Sequence, residues 1–186
     1  MNRMMLRRVF LLCLVLLVCV VVVGHIFAYQ SNQLSLRQYG RVSPSDVFEM
    51  NLFSDKVVYK TVDVIHIWAT LEYVGDNDVV TIWHDVPCMV FVLTDGEDFN
   101  LWPLSLDIVT SSVLEKGEVY RFDYYKSGAW GSDDPDADFW ESFFKEKDLV
   151  LPVGEYTITV KGNFYLNDKL EGDSGLLCEL KIKVVP

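Results

Sequence analysis

The sequence predicts an all-β sandwich carrying one short inserted helix, and three observations predict it. Val62 to Val74 (VDVIHIWATLEYV) alternates, with Ile65, Ile67, Ala69, Leu71 and Tyr73 on one side and His66, Trp68, Thr70 and Glu72 on the other. A period of two belongs to a strand with one face in a core. Similar stretches recur at roughly ten-residue spacing, divided by Gly, Asp, Asn and Pro, with no βαβ rhythm. The chain of 186 residues is 51% hydrophobic and 13% aromatic, enough for one core of ordinary domain size.

The chain opens on MNRMMLRR, a basic segment, followed by an apolar run from Val9 to Ala28 in which His25 is the one ionisable imidazole. A run of that length, rising about 1.5 Å per residue, matches a hydrocarbon core of about 30 Å. Residues 1–28 therefore read as a signal anchor. The competing reading is a cleaved signal peptide ending at Ile26-Phe27-Ala28, which makes the protein secreted. A lipid anchor at Cys19 does not fit, because Leu16-Leu17-Val18 lacks a small residue before it. In either case Arg3, Arg7 and Arg8 stay inside and the C-terminal domain is exported, which predicts a single-pass cell-membrane protein with its domain outside. Residues 29–48, polar and rich in Gln and Ser, read as a linker, and 49–186 as the sandwich domain.

Within 46–60, VFEMNLF and VVY predict a first strand at a sheet edge. The organising strand follows, and Gly75-Asp76-Asn77-Asp78 predicts a hairpin turn into Val79–Trp83. Pro87 predicts a break before Cys88–Thr94 (CMVFVLT), an apolar run expected to be covered on both faces. Asp95-Gly96 is a turn pair suited to a positive φ. Pro103 marks the start of Leu101–Val113 as irregular. Lys116-Gly117 turns into Val119–Tyr125, where Tyr120, Phe122 and Tyr124 share a face. Asp134 as cap and Pro135 as first residue predict a helix over Pro135–Lys147, with Phe139, Trp140, Phe143 and Phe144 on one face. Glu155–Tyr165 points Tyr156, Ile158, Val160 and Phe164 inward. After a polar turn at Asn167–Gly175, Leu176–Val185 does the same with Leu176, Cys178, Leu180, Ile182 and Val184. About seven strands with one inserted helix read as an immunoglobulin-like sandwich.

The net charge is −11, and without the first 28 residues 13 basic side chains face 27 acidic ones. Such a domain repels phosphate backbones, so no nucleic acid is expected, and membrane contact falls to the N-terminus. Asp134, Asp136 and Asp138 have the one-three-five spacing of a calcium loop. Phe139 stands where that loop needs Gly and Lys145 where it needs Glu, so no metal or cofactor is expected. His66 and His84 lack a nucleophile in a recognisable turn. A hydrolase would need a pocket joining one of them to a hydroxyl or thiol, and no catalytic residue is expected. Cys88 and Cys178 are either one disulfide or two buried thiols. Trp130 and Trp140 flank the Gly- and Asp-rich loop and, with Asp134, Asp136 and Asp138, are the candidate binding residues.

The segments IHIWATLEYV, VFVLTDG, LEKGEVYRFDYY and LPVGEYTITV, within Val62 to Val160, resemble the domain of the BsuPI-type intracellular proteinase inhibitors. The resemblance implies an immunoglobulin-like β-sandwich and inhibition of a protease. The hydrophobic leader and the insertion from Trp130 to Leu149 depart from that pattern, and no inhibitory residue carries over. The expected function is a membrane-tethered extracytoplasmic binding module, not an enzyme, with a protein partner. The alternative is a secreted or anchored protease inhibitor.

Overall fold

The computed structural model describes residues 47–186, Ser105 excepted, so the predicted leader over 1–28 and the linker as far as Asp46 lie outside the described residues. Along the described chain run β1 (Phe48–Ser54), β2 (Val58–Lys60), β3 (Ile67–Tyr73), β4 (Val79–Thr94), β5 (Asn100–Leu101), β6 (Leu106–Glu115), β7 (Val119–Asp123), α1 (Ala137–Lys145), β8 (Gly154–Tyr165) and β9 (Leu177–Val185). The protein is all-β with this one short helix, and its two sheets are open. One has the order β1-β3-β7; the other runs β2-β9-β8-β4, with β5 and β6 both on the far side of β4.

Alternation carries each sheet into the core. Ile67, Ala69, Leu71 and Tyr73 of β3 are buried, as are Tyr156, Ile158, Val160 and Phe164 of β8 and Cys178, Leu180, Ile182 and Val184 of β9. Each fully buried aliphatic side chain contributes about 1.5–3 kcal/mol relative to exposure. The sheets meet face to face: the Phe48 ring lies edge-on to Phe164 at 5.2 Å, and the Cys178 thiol donates to the Met50 carbonyl at 3.3 Å.

Three local expectations are corrected. Gly75–Asp78 does not close a hairpin, because β1 and β7 occupy both edges of β3; the loop crosses to the other sheet instead. Pro87 does not break the chain, since β4 runs through it. Register shifts at His84/Val86 against β6 and at His84/Met89 against β8 absorb its missing N–H. The outer row of Cys88–Thr94 is half-buried, not covered.

The helix also begins two residues later than predicted. Asp134 Oδ1 accepts from Asp136 N at 2.9 Å, and the Asp134 carbonyl accepts from Ala137 N at 3.0 Å. Asp134 therefore closes a turn ahead of the helix. Asp136 holds the cap position without a side-chain bond, and Glu146 ends the helix in extended backbone.

Candidate functional site

The insertion between β7 and β8 builds an aromatic end on the sandwich. Phe143 is the buried residue of α1, and the ring of Phe99 meets it edge-on at 5.7 Å. Phe99 is aimed there by the turn that follows β4. Asp95 Oδ1 accepts from Glu97 N at 2.8 Å and from Phe99 N at 3.1 Å, and Gly96 takes φ +85°. A side chain at Gly96 would strain that turn. Phe99 also packs on Trp140 and on Tyr156, each at 5.4 Å, joining the helix to β8.

The outer layer of this cluster faces solvent. Trp130 lies flat on Phe144, with ring centres 5.3 Å apart and planes 7° from parallel. Gly128 makes room for Phe144, because a Cβ there would run into its ring. Trp130 is 40% exposed and Phe139 39%, whereas Trp140 is half-buried between Phe99 and Phe144. Trp130 and Trp140 thus belong to one cluster through Phe144, but Trp130 is the outward one.

Asp136 at the cap of α1 and Asp138 in its first turn are exposed. Asp134 is half-buried and already committed to its turn. Among the described residues no three His, Cys, Asp or Glu side chains are placed to share a metal ion.

Val64–His66, Tyr124–Lys126, Phe144 and Glu146–Leu149 frame an open groove of about 340 Å³. His66 stands on its wall, and the residues lining it include no Ser, Thr or Cys. His84 differs. Its Nδ1 donates to the Asp85 carbonyl at 2.7 Å, which leaves Nε2 of the neutral ring to accept from the Ser112 hydroxyl at 2.9 Å. A Ser–His pair in this geometry polarises the hydroxyl, as in nucleophilic catalysis. Here His84 is only 8% exposed, and the pair links β4 to β6 along the inner face.

No protein-family model and no curated protein matches the chain. Among solved structures it is similar to a β-glucosidase from Erythrobacter marinus, at 18% identity and TM-score 0.39, over 74% of this chain and 15% of that one. It is also similar to the sporulation control protein Spo0M from Bacillus subtilis, at 12% identity and TM-score 0.37, over 76% of this chain and 51% of that one. The chain spans about half the length of the second and far less of the first.

Cys88 and Cys178 are buried free thiols. They lie on β4 and β9, with β8 between them, so two ladder spacings of about 4.8 Å separate their strands, beyond the reach of a disulfide. Two site residues escaped sequence reasoning. Ser112 sits in a strand with no turn motif around it, and 28 residues from its histidine. Phe99 is a lone aromatic after a turn, and only the Asp95-Gly96 signal hinted that it would be re-aimed.

Proposed function

We propose that the chain is a membrane-tethered extracytoplasmic binding module without catalytic activity, built on an immunoglobulin-like sandwich. The sandwich assignment is supported by the way its first strands divide between the sheets. β1 pairs antiparallel with β3, while β2 pairs parallel with the last strand, β9. The tether is supported by the arginines and apolar run of residues 1–28. Among the described residues no helix is long and apolar enough to cross a membrane.

The observation that carries the binding role is Trp130, exposed yet held flat on Phe144 at the end of a rigid scaffold. A pre-ordered aromatic in a Gly- and Asp-rich loop is a typical interface anchor, since little side-chain freedom is lost on contact. The partner it fits is a protein surface with an apolar pocket and a basic rim.

The test places a photo-crosslinking side chain at position 130 of the full-length protein in its own membranes, with position 169 in the distant polar loop as control. One protein adduct from 130, none from 169, and an intact N-terminus support the tethered module. A mature form beginning near Tyr29, joined to a protease, moves the assignment to the inhibitor that the BsuPI resemblance implies. Equal adducts from both positions remove the anchor role of Trp130.

A further inference from the structure

We propose that β6 is a self-pairing edge through which two copies of this chain join antiparallel, independently of whatever the aromatic end binds. β6 runs for ten residues and its one ladder partner among the described residues is β4, so ahead of Glu115, whose N–H and C=O bond Tyr120 and Glu118, its other edge offers backbone groups without a ladder partner. Natural edges are usually guarded by Lys, Pro or a charge pointing inward. From Ile108 to Leu114 (IVTSSVL) β6 holds no Lys, Arg, Asp, Glu, Pro or Gly.

That stretch reads nearly the same in both directions. A two-fold axis through Ser111, perpendicular to the sheet, sets Ile108 opposite Leu114, Val109 opposite Val113 and Thr110 opposite Ser112 of the other copy. Apolar meets apolar and hydroxyl meets hydroxyl, the pairings that stabilise adjacent strands. Paired residues share parity, so the inner row that carries Leu114 into the core continues into the partner's inner row, and the two sheets become one. The same register pairs positions 107 and 115, both acidic in the sequence, at each end of the stretch, a like-charge cost that the central pairs must outweigh.

Exposed apolar side chains flank this edge. Trp102, Leu104, Leu106, Ile108, Val109 and Val113 are each at least half exposed, from 50% at Val109 to 65% at Trp102. Ile108 is on the inner row and Val109 and Val113 on the outer, so these side chains flank the edge on both faces, and a pair could cover at most roughly 1,200 Å², the lower end of stable interfaces.

The test uses the full-length protein in membranes, with Cys13→Ala and Cys19→Ala removing the leader thiols. Ser111→Cys sits on the axis and is expected to give a disulfide-linked dimer under mild oxidation. Val109→Cys alone is expected to stay monomeric but to link to a co-expressed Val113→Cys copy. Thr81→Cys, one strand inward beside Val113, is the control expected to give no dimer. Adding Val109→Lys at this exposed position is expected to lower the Ser111→Cys dimer roughly tenfold, as a lysine guards an edge, with the circular dichroism spectrum unchanged. Equal crosslinking from Thr81→Cys and Ser111→Cys, or a monomer by both crosslinking and sedimentation, overturns the proposal. Crosslinking that survives Val109→Lys undiminished does so as well.

Discussion

Lys126 Nζ donates to the Phe143 carbonyl at 2.5 Å and lies 4.3 Å from the centre of the same residue's ring, so one ammonium holds both the backbone and the side chain of α1. It also donates to the Asp148 carbonyl at 2.9 Å, tying the end of the insertion to the exit of β7. Burial pulls the Lys126 pKa down, and the charges of Glu146 and Asp148 push back. Lys126→Met keeps the stem but strands two carbonyl acceptors, and is expected to cost about 1–3 kcal/mol in urea unfolding. Phe143→Ala, which empties a core site, is expected to cost about 3–5 kcal/mol, whereas Phe139→Ala at the surface stays within about 1 kcal/mol. If the two Phe variants unfold alike, the helix does not dock through Phe143.

The Ser112–His84 pair separates a structural bond from a catalytic one. Ser112→Ala leaves Nε2 of a buried imidazole without its donor, at an expected cost of about 1–3 kcal/mol. Ser112→Thr keeps the hydroxyl and is expected to recover most of it. A fluorophosphonate probe is expected to leave the protein unlabelled. Labelling that vanishes in Ser112→Ala while stability holds would make the pair a nucleophile and overturn the non-enzymatic function.

Most of the fold was legible because its strands bury one face, and a half-buried strand writes its period into the sequence. β3, β8 and β9 bury the alternating rows their residues predict. What failed was pairing. A turn such as Gly75–Asp78 says that the chain reverses, but whether it stays in the sheet depends on which edges distant strands have taken. The site was half legible for the same reason. Trp130, Trp140 and the helix face are local signals, whereas Phe99 and Ser112 acquire meaning only from partners far along the chain. Pro87 shows the limit of a local rule, since a bulge in a long strand relieves the lost donor.

Alkaline pH is expected to unfold the domain through groups buried in neutral form. Burial pushes the Cys178 thiol up to about 11 and the Cys88 thiol up to about 12, and raises the phenols of Tyr59 and Tyr124 as well. Unfolded thiols titrate near about 8.5 and phenols near about 10. Each group therefore holds its proton more tightly when folded, so its stability is full below the unfolded pKa and is lost as pH rises through the folded one. The melting temperature is expected to be flat from pH 7 to about 8.5 and to fall steadily above that. Cys88 and Cys178 are expected to resist a thiol reagent at neutral pH and to react once denaturant is added. Rapid labelling of the native domain, or a flat melting curve to pH 11, contradicts their burial.

Two tyrosines are expected to respond oppositely to losing their hydroxyl. Tyr59, fully buried, bonds Ser54 Oγ at 2.5 Å, accepts from Lys56 N at 3.0 Å and donates to Asp55 Oδ1. Tyr59→Phe leaves those groups facing a ring edge, at an expected cost of about 1–3 kcal/mol. The Tyr124 hydroxyl is buried with no hydrogen-bond partner among the described residues, and its ring lines a cavity of about 10 Å³ beside Ser127. Tyr124→Phe removes an unmade bond while keeping the edge contact to Phe91 at 5.8 Å, so it is expected to be neutral or stabilising. Thermal melts of the two single variants and the double decide this, and their effects should add, because Tyr59 bonds only within 54–59 and Tyr124 packs on β4. A Tyr124→Phe variant that melts as low as Tyr59→Phe would mean that the Tyr124 hydroxyl has a bonding partner in solution, such as an ordered water in that cavity.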